Sequence, residues 1–294
     1  MSGGVILHTT DGGVNWEIQL GDPASDDRAI RDLRFLDSKT GFAVQGSPGN
    51  HRLLRTTDGQ NWTEVGTVPE HREDYWFVSP QVGVLISDNE KILRTTDGGK
   101  KWQVVYECRV KAEVEGLTRD VDCDFQRLSF ANATTGYAIS RGIGDAGFVL
   151  AKTSDGGMTW SATVVAPGEN AYEGDVHFMD ENNGLVRTKE GKILRTSDGG
   201  ATWTGIPGSM ELKSDLEFAD AESGWAVYDQ KVTYASNGGK RWLSSGCRFP
   251  AMVNASSRPA RDRGYVIGDH GMVYRYRIVP VEYTAKGILP APTM

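Results

Sequence analysis

Residues 91–102 read KILRTTDGGKKW, and residues 192–203 read KILRTSDGGATW. The line recurs as TTDGGVNW from Thr9 and TSDGGMTW from Thr153, and in weaker form as TTDGQNW from Thr56 and ASNGGKRW from Ala235. Its acid, an Asn in the last copy, stands at positions 11, 58, 97, 155, 198 and 237, so successive copies lie 47, 39, 58, 43 and 39 residues apart. A period of about 40 marks a repeat architecture, in which one small unit is stacked many times. Six of the eight tryptophans fall in these lines, so the Trp belongs to the unit.

The rest of the unit reads outward from the line. A Gly and a short apolar run precede it: GFAVQG from Gly41, GVLISD from Gly83, GYAISR from Gly136, GLVRTK from Gly184 and GWAVYD from Gly224. A sixth, GYVIGD from Gly264, has no line after it. Further upstream stand IRDLRFLD from Ile30, DYWFVS from Asp74, FQRLSFAN from Phe125, GDVHFMD from Gly174 and SDLEFAD from Ser214. Another apolar run follows the Trp, as in WQVVYE from Trp102. Helical periodicity is absent, and short runs punctuated by Gly-containing turns predict strands. Four short antiparallel strands per unit, repeated about an axis, predict an all-β fold, a β-propeller forming a single domain over residues 1–294.

The third-strand motif occurs seven times, near Ile6, Leu53, Ile92, Val149, Ile193, Val232 and Val273, but the Gly-led strand only six. Seven four-stranded blades are expected, the first without its inner half unless VPVEYTAKGIL near the C-terminal end supplies it. Six blades is the alternative.

In S/T-x-D-x-G-x-x-W the carboxylate can accept N–H groups of the turn it opens. The Gly supplies a positive φ, and the Trp covers the turn with a large apolar ring. Asp11, Asp58, Asp97, Asp155, Asp198 and Asn237 are therefore read as structural. The line resembles the Asp-box, or bacterial neuraminidase, repeat. With GxAVG before it, ILRTTDGGxxW looks most like the photosystem II stability and assembly factor family. That resemblance covers nearly the whole chain. It implies a seven-bladed propeller that assists assembly of a protein complex and is itself usually exported across a membrane, as a periplasmic protein is.

Bulk properties narrow the function. A net charge of −7 argues against a general nucleic-acid binder. No apolar run reaches the roughly 18 residues that cross a bilayer. MSGGVILHTT shows neither the basic nor the apolar region of a signal peptide. Of three cysteines, Cys108 and Cys123 bracket one insertion and can staple it in an oxidising compartment. Free thiols are the other reading, and Cys247 has no evident partner.

Long insertions fall on one end of the blades, where strands two and three and successive blades connect, and variable loops on a rigid scaffold are where binding is expected. One position in the first strands holds Asp32, Asp74, Arg127, Asp175 and Asp215. Short acids there commonly bond their own loop; the functional reading is a polar channel mouth that meets a basic group on a partner. Arg187 breaks an apolar column in the second strands and must be paired if buried. Arg72, Tyr75, Arg141, Tyr172, Arg258 and Arg261 lie around the insertions and are of the types favoured at interface hot spots. No metal-ligand spacing, phosphate loop or nucleophile-and-base set is present, so no cofactor or metal is expected.

A non-catalytic scaffold binding a protein partner is the function expected. The alternative is a glycoside hydrolase of sialidase or xyloglucanase kind, or a glycan-binding propeller. A glycosidase needs two acids roughly 5–9.5 Å apart in a cleft, and the column of acids offers candidates. The early F/Y-R-I-P arginine motif of sialidases is missing.

Overall fold

The computed structural model describes residues 4–22, 29–47, 50–69, 72–88, 90–169, 171–188, 191–206, 216–228 and 230–277. It is a β-propeller. Blade 1 runs Ile30–Phe35, Gly41–Ser47, Asn50–Thr56 and Thr63–Thr67, and blade 2 runs Arg72–Phe77, Gly83–Ser87, Lys91–Thr95 and Gln103–Glu107. Blade 3 is Phe125–Phe130, Gly136–Gly142, Phe148–Thr153 and Ser161–Val165; blade 4 is Ala171–Phe178, Gly184–Thr188, Ile193–Thr196 and Thr204–Gly205. Blade 5 comprises Leu216–Phe218, Gly224–Tyr228, Lys231–Ala235 and Leu243–Arg248. Blade 6 has three strands among the described residues: Val253–Ala260, Arg263–Gly268 and Met272–Arg277. Every pairing within a blade is antiparallel between chain neighbours.

Six blades is thus the count among the described residues, the alternative reading rather than the seven first expected. The seventh third-strand motif forms only a two-stranded sheet, Ile6–His8 with Glu17–Leu20. That hairpin is wedged between blade 6 and blade 1. Arg275 of blade 6 donates to the Gly12 carbonyl at 2.9 Å. On the other side Gln19 donates to the Gly59 carbonyl at 3.0 Å, and Ile6 packs with Ala43 and Leu54. The VPVEYTAKGIL segment lies outside the described residues.

The repeated line is a turn device that also joins blades. In the box of blade 2, Asp97 accepts the Lys100 and Lys101 N–H groups at 3.0 Å, and Thr95 takes the Gly99 N–H at 3.0 Å. Gly98 donates to the Gln81 carbonyl, so the box rests on the turn between the first two strands of its own blade. Gly99 has φ +94, and a Cβ there would run into Leu53 of blade 1. Gly200 repeats this with φ +90 against Leu150 of the blade before. The second Gly is therefore required twice over, by its backbone conformation and by close approach.

The Trp closes a second device. Trp102, Trp160 and Trp203 meet the Phe that ends the first strand of their own blade edge-on, at 6.0, 6.2 and 6.2 Å from Phe77, Phe130 and Phe178. Each Phe lies over the Gly that opens the second strand, at Gly83, Gly136 and Gly184, where any Cβ would strike the ring. Phe77 and Phe178 also stack face-on with Phe42 and Tyr137 of the preceding blade, at 3.5 and 3.4 Å. Such aromatic pairs add about 1 kcal/mol each beyond the area they bury. Gly, Phe and Trp, far apart in the sequence, are one packing unit.

Cys108 and Cys123 are joined in a disulfide. It closes an inserted hairpin, Arg109–Val114 with Leu117–Asp122, which stands against blade 3. The only helices among the described residues are two single turns, Gly144–Ala146 and Asp269–Gly271, and none is long and apolar enough to cross a membrane.

Candidate partner-binding site at the central channel

Six blades leave a central cavity of about 750 Å³. Its wall is set by one register position, the residue before the first-strand Phe: Arg34, Trp76, His177 and Glu217 in blades 1, 2, 4 and 5. Ser256 and Ser257 complete it from blade 6, and Arg127 enters from blade 3. The fold repeats, yet the channel presents a cation, an indole, an imidazole, a carboxylate and hydroxyls. Nothing in the blade geometry demands that variety.

Three residues of the expected column, Asp32, Asp74 and Arg127, have described side chains, and of these Asp74 and Arg127 line the cavity. Asp32, Asp74 and Arg127 pair with Val44, Ile86 and Ile139, three residues after the Gly of each second strand. Each follows a register shift in its first strand, a bulge that re-aims the side chain. Asp74 is buried and committed. Its carboxylate accepts Arg34 Nη2 at 2.7 Å, the Tyr75 N–H at 2.9 Å and the Leu128 N–H of blade 3 at 2.8 Å. Burial pushes the Asp74 carboxyl up from its ordinary value, and Arg34 and the Leu128 N–H pull against that. One side chain thus ties three blades together. Asp32 stands 3.7 Å from Arg34 Nε.

Arg34 lies over the rings of Tyr75 and Trp76, 5.5 and 5.2 Å from their centroids. Tyr75 is itself buried, with its hydroxyl donating to the Phe42 carbonyl at 3.2 Å. Glu217 repeats the cross-blade habit, accepting the Ser256 hydroxyl at 2.8 Å and the Arg258 N–H at 2.7 Å. His177 stacks on Phe218 at 5.0 Å, and desolvation lowers its pKa to about 4, so the imidazole is neutral at pH 7. Arg127 differs from these. It is exposed to the channel, and its guanidinium donates to the Gln126 carbonyl of its own strand at 3.0 Å.

The other expected residues scatter. Arg141 lies on the loop face of blade 3, 3.6 Å from Asp124. Arg187 is buried in blade 4, opposite Ile193. Arg258 is buried between blades 5 and 6 in the place of the first-strand Phe. Its guanidinium lies 5.6 and 5.9 Å from the Trp225 and Tyr276 ring centroids and donates weakly to the Arg261 carbonyl at 3.4 Å. The Arg258 Nε and Nη1 have no hydrogen-bond partner among the described residues. Arg261 is an exposed turn residue. Arg72 opens the first strand of blade 2, and Tyr172 and Asp175 belong to that of blade 4, but their side chains lie outside what is described, as does Asp215 altogether. Arg34, His177, Glu217 and Ser256 escaped the reading of the sequence. The signal was there: a fixed step before each Phe at which every blade changes chemistry.

No group of three or more His, Cys, Asp or Glu among the described residues is arranged to hold a metal ion. Among the described residues two carboxylates line the channel, Asp74 and Glu217, and each is held by donors from a neighbouring blade. The site is suited to hold a ligand by charge, stacking and hydrogen bonds.

Comparison with known proteins fits this frame. Among solved structures, YCF48 bound to D1 peptide superimposes with a TM-score of 0.67 at 20% identity, covering 94% of this chain and 87% of that one. YCF48 from Cyanidioschyzon merolae gives 0.67 at 18%, covering 93% and 88%. At these identities they show the fold alone. A xyloglucanase from Paenibacillus sp is 26% identical over an alignment 216 residues long, which covers 60% of this chain and 20% of the length of that relative. The family profile described as Photosynthesis system II assembly factor YCF48 matches residues 58–205, half of the chain, with three whole boxes and most of a fourth. The chain belongs to that family.

Proposed function

We propose that this propeller is a non-catalytic platform that binds a segment of a partner protein at the mouth of its channel, in the manner of an assembly factor. The observation that carries the reading is the contrast inside the channel wall. Asp74 and Glu217 are consumed by contacts between blades, while Arg127 faces the cavity near enough to Asp74 to stabilise its charged form but makes no ion pair with a carboxylate among the described residues. With Trp76 beside it, that cation suits an extended polypeptide carrying an acidic or carboxylate group and an apolar neighbour. A solved relative of the same fold holds a peptide, which supports a polypeptide ligand.

The xyloglucanase likeness keeps a hydrolase as the second reading. It would need a free acid and a second carboxylate at cleft distance. Release of reducing sugar from xyloglucan, with Glu217→Gln and Asp32→Asn beside the wild type, separates the two. Turnover lost in either variant would establish the hydrolase. No turnover, together with peptide binding that Arg127→Glu abolishes, supports the platform.

A further inference from the structure

Blades 1 to 5 protect their outer edges, and the inserted hairpin does not. An open edge strand offers free N–H and C=O groups to any passing strand, so proteins shorten it, bend it with a bulge or cover it. The outer strands of blades 1, 2 and 5 each pair with a register shift, at Leu53/Leu54, Val104/Tyr106 and Lys231/Thr233. The outer strand of blade 4 is only Thr204–Gly205. Blade 3 has a regular outer strand, and the inserted hairpin stands against it. The open edge thereby passes to the hairpin's second strand, Leu117–Asp122, which pairs with Arg109–Val114 residue for residue and without a shift. That strand contains no Pro, and no third strand joins it among the described residues. Every residue in it but Val121 is exposed.

The edge is held ready at both ends. Val114 and Leu117 flank a two-residue turn, Glu115-Gly116, with φ +54 and +74, the left-handed pair that matches strand twist. The Cys108–Cys123 disulfide closes the other end, one residue beyond the pair Arg109 and Asp122. A strand fixed in this way loses little freedom when another adds to it. Its two faces differ. Val110 packs on the core beneath and Ala112 is buried; their partners Val121 and Arg119 share that face with Leu117. Thr118, Asp120 and Asp122 take the other face. Asp122 meets Arg109 at 2.7 Å, whereas Asp120, opposite Lys111, makes no ion pair or hydrogen bond among the described residues.

We propose that Leu117–Asp122 receives an extended segment of a partner protein as a third, antiparallel strand, and that this segment alternates apolar with basic residues. Strand addition of this kind takes its affinity from main-chain hydrogen bonds and its specificity from alternate side chains. Opposed residues of paired strands share a face, so apolar side chains meet Leu117 and Val121 while basic ones meet Asp120 and Asp122. The net charge of −7 draws a basic segment in. A second copy of the chain does not fit. Two such strands related by a two-fold axis keep their faces, so each register sets Arg119 against Arg119, Asp120 against Asp120, or Asp120 against Asp122, and like charges directly opposite are destabilising. This surface is separate from the channel and prefers the opposite charge, so it stands whether or not the channel binds a peptide.

The test adds a capped peptide of alternating valine and lysine, about eight residues long, to the full oxidised chain. Hydrogen exchange should slow at least about tenfold at amides within Leu117–Asp122. Asp120→Asn should weaken binding about threefold, with protection of Arg109–Val114 showing that the hairpin stays formed. The same peptide N-methylated at every residue keeps its charge but cannot donate, and should not bind. Equal binding by the N-methylated peptide, or by a valine–glutamate peptide, would overturn the proposal. So would slowed exchange that spares Leu117–Asp122, or no binding at millimolar peptide. Exchange at these amides that slows with protein concentration alone would give the edge to a second copy and overturn it as well.

Discussion

Arg34 of blade 1 and Asp74 of blade 2 meet at 2.7 Å, and the same carboxylate takes the Leu128 N–H of blade 3 at 2.8 Å. In a sequence these residues are 40 and 54 positions apart. In the ring they are a single joint, and the repeat that builds the blades says nothing of it.

Loss of the acid should be felt across all three blades. Asp74→Ala leaves the Leu128 N–H buried without an acceptor and Arg34 without its partner, and should cost about 3 kcal/mol. Asp74→Asn keeps one acceptor oxygen and should cost less. Urea unfolding midpoints of the two variants check the order.

The box glycines should differ sharply from other positive-φ glycines. Gly200→Ala drives a Cβ into Leu150 and should cost about 2 kcal/mol or more, from crowding and backbone strain together. Gly116→Ala, at φ +74 in the turn of the inserted hairpin, meets nothing within 4 Å and should cost about 1 kcal/mol. Equal losses in thermal unfolding would show that close approach between blades is not what selects Gly in the box.

Stability should fall in two steps as pH is lowered. His177 has its pKa lowered from 6.5 to about 4 by desolvation, so the unfolded chain takes up its proton first. Stability from the neutral imidazole is complete above 6.5 and declines toward 4. The box acids follow. Hydrogen bonds from the Thr202 hydroxyl and N–H hold Asp198 down at about 2, so its contribution is present above the ordinary carboxylate range and is lost as pH falls toward 2. His177→Gln should remove the first step in a Tm-versus-pH series and leave the second.

The disulfide spans 15 residues of sequence. Closing a loop of that length in the unfolded chain stabilises by about 3 kcal/mol. Cys108→Ser with Cys123→Ser should lower stability by up to that amount, and non-reducing calorimetry against the reduced wild type measures it.

The blades were legible because each rests on local chemistry repeated in phase. Asp97 with its two N–H groups and Gly99 with its positive φ are written within eight residues, and even the degenerate copy at Asn237 keeps the Arg241 N–H bond. The column at Asp32, Asp74 and Arg127 was also legible, because strand register preserves spacing from the Gly. What those residues do was not. Asp74 reads like Asp32 in sequence, but its partners come from two other blades, and burial follows from those contacts. Arg258 likewise reads as one of a surface cluster, yet it fills the place of the first-strand Phe against Trp225. The count of six blades among the described residues could not be settled by counting third strands, because a hairpin carrying the motif at Ile6 pairs there without inner strands among those residues.

The most direct test of the binding claim is to select displayed random peptides on the wild-type chain and measure their affinity for Arg127→Glu and Trp76→Ala. Selected peptides should carry an acidic group or a free carboxylate beside an apolar residue, and lose at least about tenfold in affinity, 1.4 kcal/mol, on Arg127→Glu. Peptides that bind both variants as tightly as the wild type would contradict a site at the channel.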